Sequence, residues 1–291
     1  MTTHLRRSVL YIPGSNARAL EKAATLPCDG VILDLEDAVA PEAKKTARVQ
    51  VMDAVKAGRF GSREVIVRVN GLDTAWLVDD INAAMKVRPD GILLPKVSSP
   101  NHLKAVAQHL FDIAADHKIK LWAMIETPLA IKHAWEIAAV VRDSETRLAG
   151  FVMGTNDLAR ETRARLGSGR PGMVPWLAEA VMAAHVFGID ILDGVYNDIG
   201  DADGFCRECE QARDMGFDGK TLIHPTQITP CNAVFSPSAA EVAQARKIIA
   251  AFDLPENHGG GVVQIDGRMV ERLHAEAARR LVEIAEAIGE A

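Results

Sequence analysis

Carboxylate and basic side chains stand directly after short apolar runs in this sequence of 291 residues. Glu126 follows the run 120–125, and Asp157 comes shortly after the run 148–153. Carboxylates that meet at one site repel each other unless a cation neutralises them, and hard oxygen ligands favour magnesium. The two residues therefore form a candidate Mg²⁺ ligand pair, which water and a chelating substrate would complete. Taken singly, each carboxylate could instead cap a helix or bind a basic side chain.

Two basic side chains also follow apolar runs. Arg68 ends an otherwise apolar stretch, where its guanidinium can bind a carboxylate or a developing oxyanion through two hydrogen bonds. Its alternative role is to neutralise Glu36 or Asp37, which follow an earlier run. Lys96 raises a rival mechanism, because a desolvated lysine can form a Schiff base with a ketone. A Schiff-base enzyme needs no metal pair, so the carboxylates favour metal-dependent chemistry.

Eight apolar runs of strand length recur along the chain, and each is followed by a helix-length segment with apolar residues at 3.6 spacing. This alternation is typical of parallel strands joined by crossover helices. Eight is the strand number of a (β/α)8 TIM barrel, in which the loops after the strands carry the chemistry. The predicted strands are Ser8–Ile12, Gly30–Leu35, Glu64–Val69, Gly91–Leu94, Lys120–Ile125, Leu148–Met153, Asp190–Leu192 and Gly219–Leu222.

The last part of the chain lies outside the eight repeats. We predict a barrel domain over residues 1–235 and a C-terminal helical extension over residues 236–291, which ends in an amphipathic helix containing Val270 and Leu273. The glycines at 259–261 favour a hinge, so the extension could act as a lid or reach a neighbouring subunit. A terminal helix packed on its own barrel is the alternative.

Composition excludes several classes of function. Lys and Arg number 33 against 39 Asp and Glu, which gives a net charge of -6, and no basic tract offers a footprint for nucleic acid. No stretch approaches the length of a membrane span, and the N-terminal segment is too short for a signal sequence. The sequence therefore predicts a cytoplasmic protein without nucleic-acid or membrane partners.

Two short motifs have structural interpretations. Cys206 and Cys209 form a CxxC without a second pair, and they lie in a predicted helix, so we interpret them as reduced helix residues and not as a metal site. Gly167, Gly169 and Gly172 spell GxGxxG, but no strand precedes this motif and Pro171 lies inside it. We interpret the motif as a loop and not as a dinucleotide site.

In eight segments taken in order, the chain resembles the citrate lyase β-subunit-like, or HpcH/HpaI-type, CoA-ester lyases. These segments are RSVLYIPGSNARALEKA, VILDLEDAVAP, VRVNGLDT, LLPKV, IETPLAI, GTNDLA, GFDGKTLIHP and VVQIDGRMVERLH. The resemblance implies a TIM barrel that acts on a CoA thioester and an oxo acid. It also implies a homotrimer or a dimer of trimers, and the use of Mg²⁺, for which Mn²⁺ can substitute.

The resemblance further implies roles for individual side chains. Glu126 and Asp157 are implied as the metal ligands, and Arg68 as the catalytic residue that grips the oxo-acid oxygen. Glu36 and Asp37 are implied as outer carboxylates that orient metal-bound water. These roles place the chemistry at the carboxyl ends of several strands.

Contacts with the rest of the substrate follow from the same resemblance. The backbone N–H groups of Gly154 and Thr155 would hold the substrate carboxylate, with Asn156 beside them as a further binding residue. Arg18 and Lys22 share one face of the first helix and look like contacts for the CoA phosphates. A solvated helix face is the alternative interpretation of this pair.

Asp266 resembles the aspartate that the tail of one subunit inserts into its neighbour's site as general acid and base. The implied activity is cleavage or formation of a β-hydroxyacyl-CoA of the malyl-CoA or citramalyl-CoA type, with glyoxylate or pyruvate and acetyl- or propionyl-CoA. The alternative is a (3S)-malyl-CoA thioesterase, in which water attacks the thioester at the same metal site. A citrate lyase β subunit is a third interpretation, from which the chain departs at Asn156 and Asp266.

Overall fold

Eight parallel strands close into a barrel within the described part of the chain, which comprises residues 4–254, 257 and 260–290 of the computed structural model. The strands are β1 (Ser8–Pro13), β2 (Gly30–Asp34), β3 (Glu64–Arg68), β4 (Gly91–Leu94), β5 (Lys120–Ile125), β6 (Leu148–Met153), β7 (Asp190–Asp193) and β8 (Gly219–Leu222). Each strand pairs with its successor, and β8 pairs with β1. This closed order is a (β/α)8 TIM barrel, which confirms the predicted fold.

The strands read as apolar runs because parallel strands are covered on both faces, by the barrel interior and by the helices. Inside the barrel, Trp122 packs with Ile66, Val152 and their neighbours. A side chain at Gly150 would place its Cβ 2.4 Å from the Trp122 ring, so glycine is required at this position of β6. The Arg6 guanidinium covers the same indole, 4.8 Å from the ring centroid. The core is therefore a filled interior and not a pore.

Helices follow the strands and bury their apolar faces. They are α1 (Ala17–Ala23), α2 (Lys44–Lys56), α3 (Leu77–Val87), α4 (Pro100–Asp112), α5 (Pro128–Lys132), α6 (Ala134–Ala138), α7 (Thr155–Thr162), α8 (Val174–Val186), α9 (Ala202–Met215) and α10 (Ile228–Phe235). Local signals begin several of them, since Asn16, Thr127 and Asp201 accept hydrogen bonds from first-turn amides of α1, α5 and α9. Among the described helices, none is long and apolar enough to cross a membrane.

Both short motifs lie where the sequence predicted. The GxGxxG glycines fall in the irregular segment between α7 and α8, so this motif is a loop. Cys206 and Cys209 lie on α9 as free thiols, and Cys209 is buried.

By their contacts the residues divide into two compact units, Arg6–Asn232 and Met1–Leu5 with Ala233–Ala291. The second unit contains α11 (Ala239–Phe252), a hairpin of β9 (Val262–Ile265) and β10 (Arg268–Glu271), and α12 (Arg272–Glu290). Phe252, Val263, Val270 and Ala275 form its apolar core. The helical character of this C-terminal extension was predicted correctly.

The hairpin corrects one detail of that prediction. Val270 lies in β10 and not in the terminal helix. Asp266 and Gly267 both have left-handed backbone angles, φ 48 and φ 77, which suit a two-residue turn between antiparallel strands. Gly259, which belongs to the predicted hinge, lies outside the described residues.

Candidate active site

A cavity of about 360 Å³ lies at the carboxyl ends of the barrel strands. Its polar lining consists of Tyr11, Asp34, Asp37, Arg68, Glu126, Thr155, Asn156, Asp157 and Thr221. An apolar wall is formed mainly by Met124, Met153, Val195 and Ile223. A pocket of this size with few polar groups and apolar walls is typical of a small-molecule site. The structure thus brings together Arg68, Glu126 and Asp157, which the sequence singled out.

Arg68 is held at the end of β3 by a carboxylate that the sequence reasoning did not assign. Its Nε and Nη2 donate to Asp34 Oδ1 and Oδ2 at 2.7 and 2.6 Å, and both side chains are buried. Asp34 and Arg68 are direct partners in the β2–β3 register, which is the signal that could have found this pair. Burial alone would lower the pKa of Arg68, but the charges of Asp34 and Glu36 raise it well above its usual value. The guanidinium is therefore a fixed positive charge at the cavity.

Glu36 links this arginine to Lys96. Its Oε2 lies 3.0 Å from Arg68 Nη1, and its Oε1 accepts from Lys96 Nζ at 3.0 Å. Both carboxylate oxygens are thus engaged, and Glu36 is absent from the cavity lining, whereas the exposed Asp37 does line the cavity. Burial lowers the pKa of Lys96, but the bond to Glu36 outweighs it and raises that pKa. A charged lysine in an ion pair argues against a Schiff base, which needs the free amine.

Glu126 is as deeply buried as Asp34 among the carboxylates of the cavity lining, and it follows β5 directly. Its Oε1 accepts from the backbone N–H of Lys96 at 2.6 Å, and Lys96 adopts a left-handed φ of 51 to present that amide. A Cβ at Gly154 would lie 2.4 Å from Glu126 Oε2, so this glycine makes room for the carboxylate. Burial, together with the charge of Asp157, raises the pKa of Glu126 to about 8. The carboxylate therefore lacks a sufficient positive neighbour.

Asp157 lies in the first turn of α7, and its Oδ1 accepts from Arg160 Nη2 at 2.6 Å. Glu126 and Asp157 line the same cavity, and the charge of Asp157 disfavours ionisation of Glu126, so a cation between them would relieve this repulsion. Among the described residues no group of three or more His, Cys, Asp or Glu side chains gathers into a complete ligand set. Mg²⁺ needs only one or two carboxylates beside water and substrate oxygens, so the donors present fit this ion.

The segment 154–156 follows β6. The N–H of Gly154 donates to the Ile125 carbonyl at 3.1 Å, so this amide already has an acceptor within the protein. Thr155 begins α7 and is buried, so its amide remains the candidate. The side-chain amides of Asn156 and Asn197 exchange two hydrogen bonds at 3.2 and 2.7 Å. This pair joins the start of α7 to the loop after β7.

The other predicted site residues lie outside the cavity lining. Arg18 and Lys22 are exposed on α1, as a contact with the CoA phosphates requires, and their role in CoA binding stays a prediction. Asp266 lies in the turn of the β9–β10 hairpin, where it is exposed and 3.3 Å from Lys247 Nζ.

A TIM barrel with such a charged cavity at the carboxyl ends of its strands has the architecture of a barrel enzyme. Residues 7–225 match the sequence profile of HpcH/HpaI aldolase/citrate lyase. The chain therefore belongs to the HpcH/HpaI aldolase/citrate lyase family, which confirms the resemblance seen in the sequence.

Individual relatives extend over nearly the whole chain. A (3S)-malyl-CoA thioesterase of Cereibacter sphaeroides is 50% identical over 98% of this chain and 96% of its own length. Citrate lyase subunit beta of Escherichia coli is 33% identical over 99% of this chain and 95% of its own length. The structure of CitE from Mycobacterium tuberculosis in complex with magnesium, acetoacetate and coenzyme A superposes with a TM-score of 0.76. It has 27% identity and covers 98% of this chain and 100% of the other.

Proposed function

We propose that this protein hydrolyses (3S)-malyl-CoA to malate and CoA in a Mg²⁺-dependent reaction. The observation that carries the proposal is the 50% identity to a (3S)-malyl-CoA thioesterase over 98% of the chain. The cavity supports it, because four carboxylates, including Glu126 and Asp157, and the Arg68 guanidinium line it beside an apolar wall. The substrate combines carboxylate and hydroxyl oxygens, which suit that polar end, with a thioester.

Each residue has a defined part in this reaction. Glu126 and Asp157 would hold Mg²⁺, which when bound polarises chelated substrate oxygens. Arg68, fixed by Asp34 and Glu36, binds a substrate oxygen and neutralises its charge. The Thr155 amide at the start of α7 receives the substrate carboxylate.

The rest of the molecule would bind the nucleotide and complete the site. Arg18 and Lys22 contact the CoA phosphates. Asp266 of a neighbouring subunit serves as general acid and base, in a homotrimer or a dimer of trimers. Mn²⁺ is expected to replace Mg²⁺, since both prefer oxygen ligands.

A carbon–carbon lyase is the second candidate. A structure similar to this chain holds magnesium, acetoacetate and coenzyme A together, which favours chemistry between an oxo acid and a CoA ester. The same site would then cleave malyl-CoA to glyoxylate and acetyl-CoA, or a citramalyl-CoA to pyruvate and acetyl-CoA. A third hypothesis is a citrate lyase β subunit that acts within a larger complex, and the 33% identity to the Escherichia coli subunit favours it.

Product analysis distinguishes these candidates. Purified protein is incubated with (3S)-malyl-CoA, with and without Mg²⁺, while malate, glyoxylate and free CoA are followed in parallel. We expect malate and CoA in equal amounts, only with the metal and without glyoxylate. Glyoxylate with acetyl-CoA would instead establish the lyase. Intact malyl-CoA would contradict both the hydrolysis and the cleavage of this substrate, and would direct the assay to citramalyl-CoA or to a carrier partner.

Mixing two inactive variants tests whether sites are shared between subunits. We expect Asp266→Ala and Arg68→Ala chains, each inactive alone, to regain part of the activity together, because a mixed assembly contains sites with both residues intact. The measurement is turnover after subunit exchange, with exchange itself followed by mass spectrometry of the assemblies. Exchange without regained activity would place Asp266 outside the neighbour's site.

A further inference from the structure

Tyr11 is a polar side chain of the cavity to which the sequence analysis assigned no role. It lies on β1, and its half-buried ring lines the cavity beside Arg68. The guanidinium carbon of Arg68 lies 4.9 Å from the ring centroid, a cation–π contact that holds the two groups together. The phenol therefore has a fixed place next to the site's arginine.

Two hydrogen-bond donors converge on one sulfur atom at this point. Tyr11 Oη lies 3.9 Å from Met124 Sδ, and Arg68 Nη1 lies 3.6 Å from the same atom. A thioether is a weak acceptor, so neither donor is well satisfied by it. The Nε and Nη2 atoms of Arg68 are bound to Asp34, and Nη1 also pairs with Glu36 Oε2 at 3.0 Å, so the second N–H of Nη1 is the guanidinium donor near this sulfur. A substrate oxygen that enters here would accept from both donors.

The phenol is in its donating form. Burial raises the pKa of Tyr11, and the carboxylates of Asp34, Glu126 and Glu36 raise it further, against the opposing charge of Arg68. The hydroxyl therefore stays protonated in the pH range in which enzymes work.

We propose that Tyr11 is a catalytic residue. Its hydroxyl, together with Arg68 Nη1, donates to the thioester carbonyl oxygen while this oxygen gains negative charge. The inference rests on the proposed function. In hydrolysis, the water oxygen bonds to the carbonyl carbon, and the C=O π pair moves to the oxygen. When that pair returns, the C–S bond breaks, and the CoA thiolate takes up the proton that the water lost. Malyl-CoA and water thus give malate and CoA.

The same donors serve the lyase alternative. When the carbon–carbon bond of malyl-CoA breaks, its electron pair passes into the acetyl-CoA enolate, whose charge lies on the same thioester oxygen. Donors placed where negative charge develops stabilise the transition state much more than they stabilise the bound substrate. The role of Tyr11 is therefore independent of which bond breaks.

Tyr11→Phe tests the inference. The variant keeps the ring that stacks on Arg68 and removes only the hydroxyl, and the sequence supplies a matched control because it has 2 tyrosines. Tyr196 Oη donates to Asp201 Oδ2 at 2.7 Å and is not in the cavity lining, so Tyr196→Phe removes a hydroxyl elsewhere. We expect kcat of Tyr11→Phe to fall about 100-fold with KM within about threefold, as for the loss of one oxyanion donor. The control keeps kcat within about twofold.

A second measurement does not depend on turnover. In a Tyr196→Phe chain labelled with 3-fluorotyrosine, the single fluorine resonance reports on Tyr11. We expect it to shift when the ketone analogue of malyl-CoA, with CH₂ in place of the thioester sulfur, is added with Mg²⁺. No shift despite saturating binding overturns the inference.

The kinetic outcomes separate this inference from the proposed function. If the wild type hydrolyses malyl-CoA and Tyr11→Phe matches it in kcat, the inference is wrong and the proposed function stands. A rise in KM alone would show ground-state binding and would also overturn it. A wild type that leaves malyl-CoA intact overturns the proposed function and the inference together.

Discussion

Glu126→Gln is expected to reduce Mg²⁺-dependent turnover of malyl-CoA about 1000-fold, since a lost metal contribution of about 4 kcal/mol corresponds to three factors of ten. The amide has the same shape, and its oxygen can still accept from the Lys96 N–H. It carries no charge, however, and so binds Mg²⁺ poorly beside Asp157. The fold should persist, because glutamine removes a buried charge that the site does not compensate without metal.

Two readouts check this prediction. Initial rates over a range of Mg²⁺ concentrations give the loss of activity, and the metal-dependent rise in the thermal unfolding midpoint reports binding without turnover. Glu161→Gln is a matched control on α7, because Glu161 is partly exposed and absent from the cavity lining. It should keep both the rate and the thermal shift. A Glu126→Gln enzyme that remains active and still responds to Mg²⁺ would overturn the metal assignment.

Lys220→Met is expected to destabilise the barrel by about 4 kcal/mol, because removal of one partner of a buried ion pair costs roughly 3–5 kcal/mol. Lys220 Nζ donates to Asp193 Oδ2 at 2.6 Å, to the Gly194 carbonyl at 2.6 Å and to Glu208 Oε1 at 2.8 Å, and the lysine is fully buried. Arg170 Nη1 donates to Asp193 at 2.8 Å from the other side. Burial would raise the pKa of Asp193, but Lys220 and Arg170 hold it below its usual value.

Methionine fills the volume of the lysine stem but leaves Asp193 and Glu208 with too little positive charge. A loss of this size should lower the thermal midpoint by roughly 10 °C, as measured by calorimetry or circular dichroism. Arg213→Met is the control, because Arg213 and Asp214 form an ion pair that is 50% and 68% exposed. Such a surface pair contributes at most about 1 kcal/mol. Equal stability of the two variants would show that the buried cluster is not a stabilising network.

Local patterns in the sequence determined the elements of this protein. Each of the eight predicted strands is present, with ends shifted by one residue at most, because strands covered on both faces leave a continuous apolar run. The polar residues after those runs, above all Arg68, Glu126 and Asp157, line one cavity, since the carboxyl ends of barrel strands meet at one face.

The hairpin was missed although its signal is local. Asp266 and Gly267 stand between two short alternating segments, a pattern that is typical of a two-residue hairpin turn. The helical periodicity of the following residues extends back to Val270 and was read as one helix. The two patterns overlap at Val270 and Glu271, and the left-handed angles of the turn show that these residues belong to the hairpin.

Only the tertiary structure decided how the site residues pair. Asp34 binds Arg68 across the β2–β3 register, Glu36 reaches Lys96, and Tyr11 shares a sulfur atom with Arg68 across the barrel. The partners stand tens of residues apart in the chain, and the interior of the closed barrel brings them within hydrogen-bond distance. Apolar periodicity specifies which residues form a strand, but register and barrel closure depend on the packing of all eight strands together. No single segment of the sequence carries that information.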